Sequence, residues 1–301
     1  MKITFSPRMA LVVAAAVTFL HQNATAATLP WTGTIDYGAA SGFAILAGSG
    51  ITDAGGSSIT GTATTGNVGL SPTTGAAITG LTAAQVTGGG QIYTVNGAGP
   101  LPNVNDPGLL TTAINNFGAA YTLAANQTPF TTLGQQLGGQ DLLPGVYRLS
   151  TLALLDGTLT LSNPNGLVNP SWIFQGTDSL VTGSSSKVVL GTGVVPCDVL
   201  WEIPFQTTLG TRSTFVGTLM DHTEIEMGTY ATLDGRAWAD TAVVLDGYDT
   251  ITGLPCTSLV GTSDTGGNGG TTVPDYGSTM LLLGFGLITL LAFKPRFSSL
   301  A

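Results

Sequence analysis

The densest group of side chains that could do chemistry is Asp221-His222-Thr223-Glu224-Ile225-Glu226. On an extended strand His222, Glu224 and Glu226 would point the same way at successive separations of about 6.6 Å. Two carboxylates and an imidazole so placed could hold a metal ion or move protons. On stacked strands such a site needs partners from the rows above and below. One repeat on stand Asp240, Ala242 and Val244, and one repeat back stand Pro204, Gln206 and Thr208, so the set is not completed. The segment reads as a solvated strand face, with no catalytic residue, no metal site and no cofactor expected. Glycine-rich nucleotide loops, a nucleophile elbow and Cys/His zinc spacing do not occur.

A second candidate is the cysteine pair Cys197 and Cys256. Their separation is three eighteen-residue periods plus five, so in a straight stack they are not neighbours. A disulfide would need the chain after Ile251 to fold back across three coils, about 14 Å, which five or so extended residues just reach. Paired and free thiols are both open on this reading. The third candidate is threonine. Thr211-Arg-Ser-Thr214, Thr229-Tyr-Ala-Thr232 and Gly247-Tyr-Asp-Thr250 follow one another at the repeat spacing, so Thr214, Thr232 and Thr250 form one column and Thr211 and Thr229 another. A β-branched threonine is stiff at χ1, and its hydroxyl can donate and accept.

The element that must position these residues is the repeat itself. Ser213 to Tyr230 lies over Ala231 to Tyr248 with Phe215 on Leu233, Gly217 on Gly235, Thr223 on Thr241, Ile225 on Val243 and Met227 on Leu245. Eighteen residues are too few for two helices and a turn. They suit three short strands with corners, one turn of a parallel β-solenoid laid about 4.8 Å from the next. Phe215, Leu219, Ile225, Met227, Leu233, Val243 and Leu245 are then the inward, buried positions. Composition agrees: charged residues are 8% of 301, against 43 glycines and 47 threonines. Stacked strands can be solvated by Thr and turned by Gly, whereas surface helices need Lys, Glu and Arg.

Net charge is −9, and only Arg148, Lys187, Arg212 and Arg236 are basic outside the terminal segments, which disfavours nucleic acid as a partner. Residues 1–26 carry Lys2, Arg8, an apolar run and Ala24-Thr25-Ala26, and read as a signal peptide, so export is expected. Strand-like runs from Ile35 to Val95 read as the first coils. The apolar spacing from Leu109 to Ala124, with Asp106 as cap and Pro107 in the first turn, predicts one helix over about 107–125, laid along a solenoid face. Strands resume at Leu143. Residues 254–272 read as a Gly/Thr linker.

The ordered pieces GFAILAGSGI, SSITG, TGNVGLSP, LPGVYRLS, WIFQ, CDVLWEI, TTLGT, FVGTLM, LDGRAWADTAVVLD and DTIT resemble the bacterial and fungal ice-binding proteins, over roughly Trp31 to Gly253. The resemblance implies a right-handed, discontinuous parallel β-solenoid of triangular cross-section over residues 27–253, with an α-helix packed alongside and the N-terminal and C-terminal blocks meeting in one stack. It further implies a non-enzymatic protein whose partner is an ice crystal surface. Some family members carry Thr-(Ala or Gly)-X-(Thr or Asn) at the corner, which marks Thr211, Thr214, Thr229, Thr232 and Thr250 as ice-contacting candidates. Here Arg212, Tyr230 and Tyr248 replace the small residue. A rigid surface spacer or adhesin for an extracellular polymer is the alternative. Residues 273–301, Val273-Pro274-Asp275 followed by an apolar run and Lys294 and Arg296, resemble PEP-CTERM sorting signals in a VPD variant. That resemblance implies an apolar helix, an exosortase-like membrane enzyme as partner, and a cell-surface or extracellular destination.

Overall fold

The computed structural model describes residues 31–262. The expected segments 1–26 and 273–301 lie outside them. Among the described residues no helix is long and apolar enough to cross a membrane.

Short runs of Val, Ile, Leu and Thr, cut by glycine, pair in parallel and build a three-sided stack. The first side runs, in stacking order, through Thr131–Leu133, Gly145–Leu149, Trp172–Gln175, Val199–Ile203, residues 217–221, residues 235–239, Phe43–Ala47, Asn67–Leu70, Ile92–Thr94 and Val104–Asn105. The order is discontinuous, as expected. The N-terminal coils are laid on the last C-terminal coil, with Ile45 on Ala237, Ile51 on Val243 and Ile59 on Ile251.

The helix Pro107–Ala125 carries the chain from one end of this order back toward the other. At about 1.5 Å per residue it is about 28 Å long. The Asp106 carboxylate accepts from the Leu109 amide at 2.9 Å, which caps the first turn, and Pro107 has no amide to leave unpaired there. Its buried stripe, Leu110, Ala113, Phe117, Ala120 and Ala124, covers Leu46, Met220 and Trp238 of the first side. A separate core fills the prism, where Phe174 and Trp201 stack with centroids 3.8 Å apart and the expected inward positions are all buried.

The eighteen-residue period is confined to part of the stack. Partners stand eighteen residues apart at Leu200, Thr218 and Arg236, but twenty-seven apart at Gly145, Trp172 and Val199. The longer coils carry corner loops, and residues 191–198 form one of them. Eighteen residues is therefore the bare coil. Gly217 and Gly235 show how tightly it closes, because a Cβ on Gly235 would stand 1.9 Å from the Gly217 carbonyl oxygen.

Cys197 sits in that corner loop, outside the repeat, and is bonded to Cys256 with Cα atoms 5.9 Å apart. Counting periods placed Cys197 in the stack, which overestimated the distance to be crossed. Residues 254–262, expected to begin a linker, instead belong to the domain: Leu254 and Leu259 are buried, and Ser258–Val260 pairs antiparallel with Thr34–Asp36 at its start.

Packing so much backbone together also buries acids. Burial pushes the Asp249 carboxyl up to about 7, Asp198 up to about 6, and Asp221 well above the usual range. An acid whose folded pKa is raised holds its proton in the native state and loses it on unfolding. Its stabilisation is complete below the unfolded value near 4 and is lost as pH rises through the folded value. The melting midpoint is accordingly expected to fall between about pH 4 and pH 7. Thermal melts at fixed ionic strength check this, and a midpoint that climbs across that interval contradicts it.

Candidate functional site

The acidic segment does not form the row expected of a single strand. The strand ends at Asp221 and the next begins at Glu224, so a corner separates His222 from both glutamates. His222 pairs with Asp240 and stacks on the Tyr121 ring of the helix at 5.0 Å. Glu224 and Glu226 lie instead beside the Gln206 amide, at 3.5 and 3.2 Å. Among the described residues no group of three or more His, Cys, Asp or Glu is placed to hold a metal ion.

The three sides differ in what they offer a partner. The first is covered by the helix and the terminal strands, and its own outward residues are buried with them. There Glu202 accepts from the Tyr121 hydroxyl, and burial raises its pKa. The second side presents Val181, Thr208, Glu226, Val244, Thr52 and Thr79 in one row, with Glu224 beside Glu226, so charge and branched aliphatics interrupt its hydroxyls.

The third side is built from Thr158–Leu161, Lys187–Leu190, residues 214–216 and 232–234, Thr250–Thr252, Ser58–Thr60 and Val86–Thr87. Leu159, Val188, Phe215, Leu233, Ile251, Ile59 and Val86 point inward and are buried, which holds the strands in one plane. Alternation then turns their neighbours outward. One outward column is Thr158, Lys187, Thr214, Thr232, Thr250 and Ser58. The next is Asp234, Thr252, Thr60 and Thr87, ending at Val216, which is buried. Steps along a column are about 4.8 Å and steps between columns about 6.6 Å. The hydroxyls of Thr60 and Thr87 stand 3.1 Å apart, and the Thr232 hydroxyl lies 3.3 Å from the Ser213 carbonyl.

Thr214, Thr232 and Thr250 thus form one column, as expected from the repeat. Thr211 and Thr229 stand on the other side of the corner, before the residues Arg212 and Tyr230 whose φ values are 57° and 63°, and are not part of this strand array. Sequence reasoning missed Thr158, Ser58, Thr60, Thr87 and Thr252, because most of their coils are longer than eighteen residues. A shorter signal was available. Thr158-Leu-Thr160, Ser58-Ile-Thr60 and Thr250-Ile-Thr252 share one hydroxyl-aliphatic-hydroxyl pattern whatever the loop between them.

A rigid solenoid with one side buried under a helix and another tiled with threonine at two fixed spacings presents an extended, repeating surface. The chain belongs to the ice-binding-like family, whose model matches residues 45–252. An ice-binding protein of Flavobacterium frigoris is 37% identical over 214 residues, 70% of this chain and 74% of that protein. One from a Colwellia species is 39% identical over 160 residues, 52% of this chain, and the match spans 62% of that protein's length. The crystal structure of an ice-binding protein from the Antarctic ascomycete Antarctomyces psychrotrophicus superposes with a TM-score of 0.61 at 32% identity, covering 74% of this chain and 99% of that one.

Proposed function

We propose that the chain binds ice without catalysing a reaction, by laying the threonine side flat against the crystal. The observation that carries this reading is the pair of outward columns running unbroken in register across the joint between the two blocks, from Thr214 through Thr232 and Thr250 to Ser58, and from Thr252 to Thr60 and Thr87. A stiff threonine sets its methyl against ordered water while its hydroxyl joins that water. Stacking at one spacing keeps water ordered over one coil in phase with water over the next. Lys187 and Asp234 interrupt the array toward its far end, which places the most regular contact on the coils around the joint.

Export through residues 1–26, and handling of residues 273–301 by an exosortase-like membrane enzyme that delivers the domain to the cell surface or beyond it, complete the proposal. The support for that part is the residue pattern of the two ends.

The test is thermal hysteresis of the purified domain beside Thr232→Tyr. The half-buried Thr232 side chain faces outward, so the variant is expected to keep the parent's melting midpoint and lose most of its hysteresis. A fully active variant would rule out this side, and a parent with no hysteresis and no inhibition of recrystallisation would rule out ice.

A further inference from the structure

The corner that precedes the threonine column is built in an unusual way. Ser185, Arg212, Tyr230 and Tyr248 have φ values of 62°, 57°, 63° and 58°, and Gly56 follows at 80°. Backbone bonds link them in order, each amide meeting the carbonyl of the residue before the next corner: Ser185 to Thr211, Arg212 to Thr229, Tyr230 to Gly247 and Tyr248 to Gly55. This left-handed region suits glycine and is costly for a bulky side chain. A small residue would satisfy the corner, yet three successive coils carry Arg, Tyr and Tyr.

Those three side chains are exposed and lie against one another. The Tyr230 and Tyr248 rings stack 5.0 Å apart at 15°, the Arg212 guanidinium lies 5.4 Å from the Tyr230 ring, and the two tyrosines are 47% and 60% exposed. A Cβ on Gly56 would meet the Tyr248 ring at 2.8 Å, so that ring's other face is closed as well. With both ring faces taken up along the stack, no flat aromatic platform is open to a sugar or another ring. What faces outward is a row of ring edges and hydroxyls repeating at the coil spacing.

Alternation continues from this row into the site, because Arg212, Tyr230 and Tyr248 stand two residues before Thr214, Thr232 and Thr250. A side chain at the corner of a prism leans along the bisector of two sides, so most of a tyrosine's length adds to the width of the threonine side and less of it to the height. We infer that the Arg212–Tyr230–Tyr248 ladder is a third column of the ice-contacting surface, carrying it around the corner and joining the same ordered water through the tyrosine hydroxyls. The inference rests on the threonine side being the contact, and it gives a reason for three strained positions to carry large side chains.

Two double variants test it, measured against the parent and against Thr232→Tyr. Tyr230→Gly with Tyr248→Gly removes the column at positions whose backbone favours glycine. The expected result is a retained fold with hysteresis clearly below the parent's. Tyr230→Phe with Tyr248→Phe keeps rings, stacking and backbone and removes only the hydroxyls, and a smaller loss is expected. Hysteresis at or above the parent's in the glycine pair overturns the inference. Should that pair not fold, the phenylalanine pair decides, and full activity there overturns it. If Thr232→Tyr abolishes hysteresis while both pairs keep it, the ladder alone is wrong. If Thr232→Tyr is fully active, the underlying reading has failed instead.

Discussion

Ile225→Asp is expected to cost about 4 kcal/mol or more, enough to leave a marginal domain largely unfolded at moderate temperature. Ile225 is fully buried, stacked between Thr207 on one coil and Val243 on the next. The substitution removes a branched aliphatic from a packed layer and puts an unpaired carboxylate into the apolar core of the prism. Ile225→Val, which deletes one methylene, is expected to cost only about 1 kcal/mol. Urea titrations of the three proteins would show the order, and an Asp variant as stable as the parent would mean that the coil register is wrong.

The second large effect is expected at Arg236. Its side chain is fully buried, yet its partners are neutral. Nη2 donates to the Leu254 carbonyl at 2.7 Å, to the Ser41 carbonyl at 3.4 Å and to the Cys256 carbonyl, and Nη1 reaches the Thr218 hydroxyl at 3.3 Å. The guanidinium carbon lies 5.4 Å from the Tyr37 ring and 5.5 Å from Trp238. Burial pushes its pKa down to about 10, which still leaves it charged at neutral pH. One cation thus ties the returning C-terminal strand and the segment after the N-terminal strand to the first side of the stack. Arg236→Ala strands several buried carbonyls and opens a cavity, for an expected loss of about 3–5 kcal/mol. Arg236→Lys is expected to recover little, since a single ammonium cannot serve both the carbonyls grouped at Nη2 and the Thr218 hydroxyl at Nη1. An alanine variant within about 1 kcal/mol of the parent would show that the clamp is dispensable.

The parts of this architecture that could be read from residues alone are those governed by local periodicity. The inward positions from Phe215 to Leu245 follow from a repeat that recurs without insertions, and the helix from a 3.6-residue apolar spacing with Asp106 and Pro107 at its start. What escaped reading depends on where corner loops fall. Cys197 was counted as part of the stack although it lies in one such loop. Half of the threonine array was overlooked because Thr158, Ser58 and Thr87 sit in coils of other lengths. Nothing in a run of six polar and aliphatic residues marks the corner between His222 and Glu224, and nothing local marks Arg236 as a buried clamp, since its neighbours come from segments 18 to 195 positions away. Contacts set by topology leave no periodic trace in the chain.

The two ends of the described domain leave it side by side, with the Gly261 amide on the Gly33 carbonyl and the Thr262 amide on the Trp31 carbonyl, each at 2.7 Å. Joining those ends and opening the chain between Asn105 and Pro107 would therefore yield a circular permutant in which the helix comes first and every coil then follows its neighbour in space. The discontinuity of the stack is a property of where the polypeptide begins, not of how its layers are held. The native order obliges Phe43–Ala47 to wait for Thr232–Ala239, nearly two hundred residues downstream, and only then does the threonine side become continuous. Loop-closure entropy makes such distant pairings slow to find. The threonine side is thus shared between two blocks that meet only at this joint, and half the domain made alone would carry only half of it.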